Sequence, residues 1–141
     1  MDILLAISFM VTEDTLNLPQ GLLSSVCTIE SNLNATAIHR HDGHGTSIGV
    51  CQIKIIAARH VGFKGTELDL MNPDTNIYFA GKYLKHQLKR YHNSVNKALI
   101  AYNMGSTKGL TQTKYSVKVI KQWRAACELK KQVALLMSVR T

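Results

Sequence analysis

Nine acidic residues occur in this chain, and one of them sits where a carboxyl group could do chemistry. Glu30, followed by Ser31, closes an apolar run from Leu22 to Ile29. Leu22, Leu23, Val26, Ile29 and Leu33 recur with the period of one helical face, and Glu30 falls beside that face, four residues after Val26. A lone glutamate on an amphipathic helix is ordinarily a solvated surface residue. Here Ser31-Asn32 follows at once, then a polar, Gly-rich stretch, then the apolar segment Ile48 to Ile53. Helix end, loop and short strand make the concave wall that a polymer needs. Partial burial there raises a carboxyl pKa, because desolvation disfavours the anion. An acid that keeps its proton near working pH can protonate a leaving glycosidic oxygen.

Glycosidases that use water normally pair two carboxyl groups. The candidate for a second is Asp42, in His41-Asp42-Gly43-His44-Gly45. It reads either as a base that activates water or as the Asp of an Asp-Gly turn. His39, His41 and His44 with Asp42 have zinc-ligand chemistry. The glycines among them and the lack of a distant ligand set favour a polar loop along a groove, with no metal and no cofactor.

These residues need positioning elements. A first helix is expected over about residues 2–11. Ile3 to Val11 is apolar, but Asp2 precedes it without Lys or Arg, and it runs into Thr12-Glu13-Asp14 without a small-residue cleavage site, so a packed helix fits better than a signal peptide. A second helix is expected from Leu18 to about Leu33, with Pro19 in its first turn. Ile48 to Ile53 reads as a strand, and Ile55 to Val61 as a helix stopped by Gly62. Asn72-Pro73-Asp74 starts a helix that runs to about Tyr91. Ser94 caps another through about Tyr102, and a long final helix begins near Thr113. The class is α+β, mainly α, with a small β element beside the proposed cleft. The 141 residues make one expected domain, 1–141, and no stretch has membrane-span length.

Three motifs in order carry a family resemblance: Glu30-Ser31, Gly49-Val50-Cys51-Gln52 and Ala101-Tyr102-Asn103-Met104-Gly105. Asn72-Pro73-Asp74-Thr75-Asn76-Ile77 and Gly81-Lys82-Tyr83-Leu84 lie between the last two. Over about residues 18–125 the chain resembles the lysozyme-like lytic transglycosylases, the soluble lytic transglycosylase (SLT) domain family, which are related to goose-type lysozyme. The resemblance implies a lysozyme-like fold and bacterial peptidoglycan as substrate. It implies that Glu30 is the acid and then the base, that Gln52 hydrogen-bonds substrate or lines the cleft, that Asn103 fixes the turn and contacts sugar, and that Tyr102 orients the Glu30 carboxyl through its hydroxyl. Ser31 would support the helix end and Ser47 would contact an N-acetyl group. Tyr115 falls where the family has a cleft tyrosine, although the acid usual just before it is missing, with Thr111 in that region. Goose-type lysozymes carry an aspartate in the loop where Asp42 lies, so an inverting muramidase is the alternative outcome. A non-catalytic wall-binding module is the alternative of another class.

The net charge is +8, and residues 108–141 hold eight of the 17 basic residues and only the acid Glu128, so +7 of it lies there. The basic C-terminal helix, about residues 113–139, suits an anionic wall polymer or a membrane surface, or is simply a solvated face. Only Tyr115 and Trp123 are aromatic in this segment, which argues against specific nucleic-acid stacking. A monomer is expected. Without a signal, a phage particle, a holin or a secretion machine would deliver the enzyme to the wall. Cys27, Cys51 and Cys127 lie in apolar runs and are expected to be buried free thiols rather than a bridge.

Overall fold

The computed structural model describes residues 1–41 and 45–140. Seven helices and one three-stranded sheet are found among them: α1 Ile3–Thr15, α2 Leu22–Ser31, β1 Ile38–His41, β2 Gly45–Ile48, β3 Ile53–Lys54, α3 Ile55–His60, α4 Glu67–Leu70, α5 Pro73–Arg90, α6 Val95–Met104 and α7 Lys114–Val139. The class is α+β and mainly α, as the sequence predicts.

Helix α5 is the spine. Asn72 caps it by accepting the Thr75 N–H, and Pro73 occupies the first turn. Its buried face, Ile77, Ala80, Gly81, Leu84 and Leu88, follows helical spacing. Helices α1, α2, α3, α4 and α6 all pack on α5. At Gly81 the approach of α1 and α2 leaves no room for a side chain: a Cβ there would meet Thr12 Cγ2 at 2.8 Å and Leu16 Cδ1 at 3.0 Å. Ser94 caps α6 as predicted, and Thr113, near which the last helix is expected to begin, caps α7; they accept the Lys97 and Ser116 N–H groups.

Helix α2 is shorter than its periodicity suggests, because its start is made by a distant side chain. Residue 21 is left-handed (φ 81°), and Leu18 to Gly21 forms a turn instead of a first helical turn. The Glu13 carboxylate then accepts the N–H groups of Gly21 (2.8 Å), Leu23 (3.0 Å) and Ser24 (3.3 Å), donors that have no intrahelical partner. Asn32 and Leu33, both left-handed, end the helix just after Ser31.

The strand expected over Ile48 to Ile53 is two strands and a turn. Gly49 (φ 73°) and Gln52 (φ 49°) are left-handed, which reverses the chain between β2 and β3. The apolar run between them is buried because the turn plugs into the core: Val50 and Cys51 are fully inaccessible. The sheet is antiparallel in the order β1-β2-β3. Its register pairs His39 with Ser47 and Ser47 with Lys54, so these three share one face, while Ile48 and Ile53 point to the core.

The expectation of free thiols at Cys27 and Cys51 is wrong: the two form a disulfide. An odd cysteine count and an argument from compartment say nothing about distance, and the plugged turn brings Cys51 against α2. Cys127 is the free thiol among the described residues.

Candidate active site

The end of α2, the turn over residues 49–52, the polar face of the sheet, α5 and α6 surround a cleft of about 780 Å³. Glu30, Ser47, Gln52, Tyr102 and Asn103 all line it. The structure thus brings together residues that span more than seventy positions in sequence.

The turn over residues 49–52 is the foundation of one wall. Four groups from three elements, α2, α5 and α6, hold it. Ser31 Oγ donates to the Val50 carbonyl at 2.6 Å, tying the helix end to the turn. The Cys27–Cys51 disulfide makes a covalent tie one helical turn before Glu30. Tyr102 Oη donates to the Cys51 carbonyl at 2.9 Å. Fully buried Asn76 accepts the Cys51 N–H at 2.9 Å and donates to the carbonyls of Ile48 (2.8 Å) and Leu70 (2.9 Å). Gly49 is needed for this last clamp, since a Cβ would lie 2.5 Å from Asn76 Nδ2.

Gln52 faces the cleft, but its amide is spent within the protein. Nε2 donates to the carbonyls of Ala37 (3.0 Å) and Gly49 (2.9 Å), which fixes the amide orientation. Its Oε1 can therefore only accept, from His39 Nδ1. That bond places a proton on His39 Nδ1 and sets the ring against the cleft wall, on the same sheet face as Ser47.

Glu30 is half-buried, one residue before the end of α2. Its Oε1 accepts a 2.6 Å hydrogen bond from Tyr115 Oη, on the first turn of α7. Burial pushes the carboxyl pKa above its usual 4.5; the Tyr115 hydroxyl, then the nearby His39, pull it part of the way back. The phenols of Tyr102 and Tyr115 are held well above their ordinary range, first by burial and then by the Glu30 charge, so both stay neutral. The expected bond from Tyr102 to Glu30 is thus replaced: Tyr102 braces the turn, and Tyr115 orients the acid. Asn103 is exposed at the cleft rim and Ser47 is buried in its wall.

Asp42 and His44, singled out as a second carboxylate and a polar groove residue, lie outside the described residues. Among the described residues that line the cleft, Glu30 is the only carboxylate. Three residues of consequence carried no sequence signal. His60 and His86 form part of the cleft wall from α3 and α5, where their spacing follows no motif. Glu13 is a second buried carboxyl with a raised pKa; burial raises it, against three backbone N–H groups that favour the anion. It is enclosed by α2 and away from the cleft, so its work is capping.

A family model described as Transglycosylase SLT domain matches residues 8–123. No solved structure matches the chain.

Proposed function

Because the chain belongs to the transglycosylase SLT domain family, and is therefore a peptidoglycan-cleaving enzyme, we propose that Glu30 is its general acid and base and that the products carry 1,6-anhydro ends. The observation that carries this reading is the Glu30 carboxyl itself: half-buried at the cleft, raised in pKa by desolvation and fixed by Tyr115.

The steps follow from that one group. The protonated carboxyl of Glu30 gives its proton to the glycosidic oxygen between N-acetylmuramic acid and N-acetylglucosamine. The bond to C1 breaks, and positive charge develops on the muramic sugar. The resulting Glu30 carboxylate takes the proton of the C6 hydroxyl of the same sugar as that oxygen attacks C1. A 1,6-anhydro ring forms, the carboxyl is protonated again, and no water is consumed. Tyr115 keeps the carboxyl pointed into the cleft and stabilises the anion in the interval between the two transfers. Ser47 and Asn103 contact the sugar, with Ser47 at the N-acetyl group. Gln52 acts through His39 and the backbone, as a wall. Ser31 supports the helix end.

The disulfide accords with work in an oxidising space such as the wall compartment. Residues 1–141 act as one lysozyme-like domain, with the basic face of α7 as an auxiliary contact to anionic wall polymer or membrane.

Digestion of purified peptidoglycan, read by mass spectrometry with Glu30→Gln as control, tests the reading. Muropeptide ends lighter by one water are expected. Hydrated reducing ends would make the enzyme a muramidase and promote Asp42 to its base. Lysis by the Glu30→Gln protein would mean that another residue is the acid.

A further inference from the structure

We infer that the cleft wall formed by Lys54, His60, His86 and Arg90 is a seat for the carboxylates of the peptides that hang from the glycan, so that the enzyme selects peptide-bearing strands over bare ones. The inference rests on the cleft being the glycan-binding groove.

The wall is built rather than incidental. His60 ends α3, and His86 and Arg90 stand one turn apart on α5. The Nε2 atoms of His60 and His86 are 3.3 Å apart, with the rings edge to face. His86 in turn stacks on Tyr83, and Tyr83 leans on Tyr102, an aromatic row that runs from this wall to the turn beside Glu30. Arg90 is fixed as well: its Nη1 donates to the Gly105 carbonyl at 3.1 Å, and the guanidinium lies over the Tyr91 ring. One of the five guanidinium N–H groups is used there, which leaves the rest of the fork for an incoming carboxylate.

The charge balance identifies the ligand. Lys54 and Arg90 are the cations of this wall, His60 and His86 add imidazole hydrogen-bonding groups, and among the described residues the only carboxylate on the cleft lining is Glu30. Burial, then His60, then Arg90 press the His86 pKa below its usual value, the last two because like charges gather here. A neutral sugar can accept hydrogen bonds from such a wall but carries no charge to match its cations, whereas a carboxylate does both. In peptidoglycan the anionic groups next to the sugar ring are the carboxylates of the peptide attached to the lactyl group of N-acetylmuramic acid. A charge-assisted hydrogen bond to such a carboxylate is worth about tenfold in affinity.

The test is binding, so that it does not depend on turnover. The Glu30→Gln protein is titrated against three forms of one strand preparation: intact, stripped of peptides by an amidase, and intact with its carboxylates chemically amidated. Intact strands should bind about tenfold tighter than either of the others, with the preference weakening in salt. Adding His60→Gln and Arg90→Gln, both at exposed side chains, should bring the three affinities within about twofold of each other. Arg90→Lys alone should keep part of the preference, and melting curves establish that each variant is folded. Equal affinities for all three strands would overturn the inference, as would a preference that survives the double change. Amidated strands that bind like intact ones would assign the preference to other parts of the peptide and also overturn it. The anhydro-end reading stands or falls separately, on the products of the unaltered enzyme.

Discussion

Tyr115 and Glu30, 85 positions apart in the chain, share a 2.6 Å hydrogen bond that joins the first turn of α7 to the last turn of α2. It is the contact that sets where the candidate acid points, and it favours the carboxylate over the acid. Replacement with Tyr115→Phe removes that bias. The Glu30 pKa should then rise further, so the alkaline limb of the pH profile of kcat/KM should move to higher pH while the maximal rate falls about tenfold or more. A limb that stays in place or moves down would show that Tyr115 does not act on Glu30.

Glu30→Gln should lower the rate of lysis by about 10²- to 10⁴-fold or more and leave the fold intact. It should also raise the melting temperature at neutral pH. A carboxyl with a raised folded pKa contributes stability that is full below its unfolded value of 4.5 and is lost as pH rises through the folded value. The charged form is therefore the costly one in the folded state, and the neutral amide avoids that cost. The gain should vanish in acid, where the native carboxyl is protonated in both states. Calorimetry across pH reads both ends; an equal gain at every pH would point to packing instead of charge.

Glu13→Ala should separate the two buried carboxyls by their jobs. It leaves three N–H groups at the head of α2 without their acceptor. A loss of about 2–3 kcal/mol is expected by denaturant titration. The chemistry should be untouched: below the new melting point, the pH limbs of lysis should match those of the unaltered enzyme. A shifted limb would place Glu13 in the proton pathway.

Replacing both Cys27 and Cys51 by Ala should cost about 3 kcal/mol of stability, or a melting temperature lower by about 10 °C. Activity should fall at temperatures well below melting, since the disulfide anchors the turn that carries Gln52. Full activity with a lowered melting point would confine the disulfide to stability. Cys127→Ala should change neither.

Lys114, Lys118 and Lys121 are exposed on α7. Changing all three to Gln should weaken sedimentation with cell-wall sacculi in low salt and leave it unchanged in high salt, while rates on short soluble fragments stay the same. No effect at low salt would leave the basic stripe as a solvated face.

Much of this arrangement was legible in the chain because local chemistry fixed it. Asn72-Pro73, Ser94 and Thr113 are capping signals, and the helices begin where they say. The turn over residues 49–52 was misread as strand because burial and strand propensity look alike in a short apolar run; only the left-handed Gly49 and Gln52 distinguish them. Glu13, eight residues from the helix it caps, lies beyond the reach of any capping motif. The exchange of roles between Tyr102 and Tyr115 had the same origin. Both are tyrosines near the acid, and which one reaches it depends on how α6 and α7 pack, a tertiary fact that residue type does not encode.

Helix α7 has a further consequence. Its first turn holds the Glu30 carboxyl, while its last dozen residues are all exposed, Leu129, Val133, Leu136 and Val139 among them. At about 1.5 Å per residue, Tyr115 and Val139 are about 36 Å apart along a single rod. If the tail is where this enzyme is held, the rod is a ruler: cuts would fall within that radius of the anchor, and shortening the helix by whole turns would draw them in by steps of about 5.4 Å.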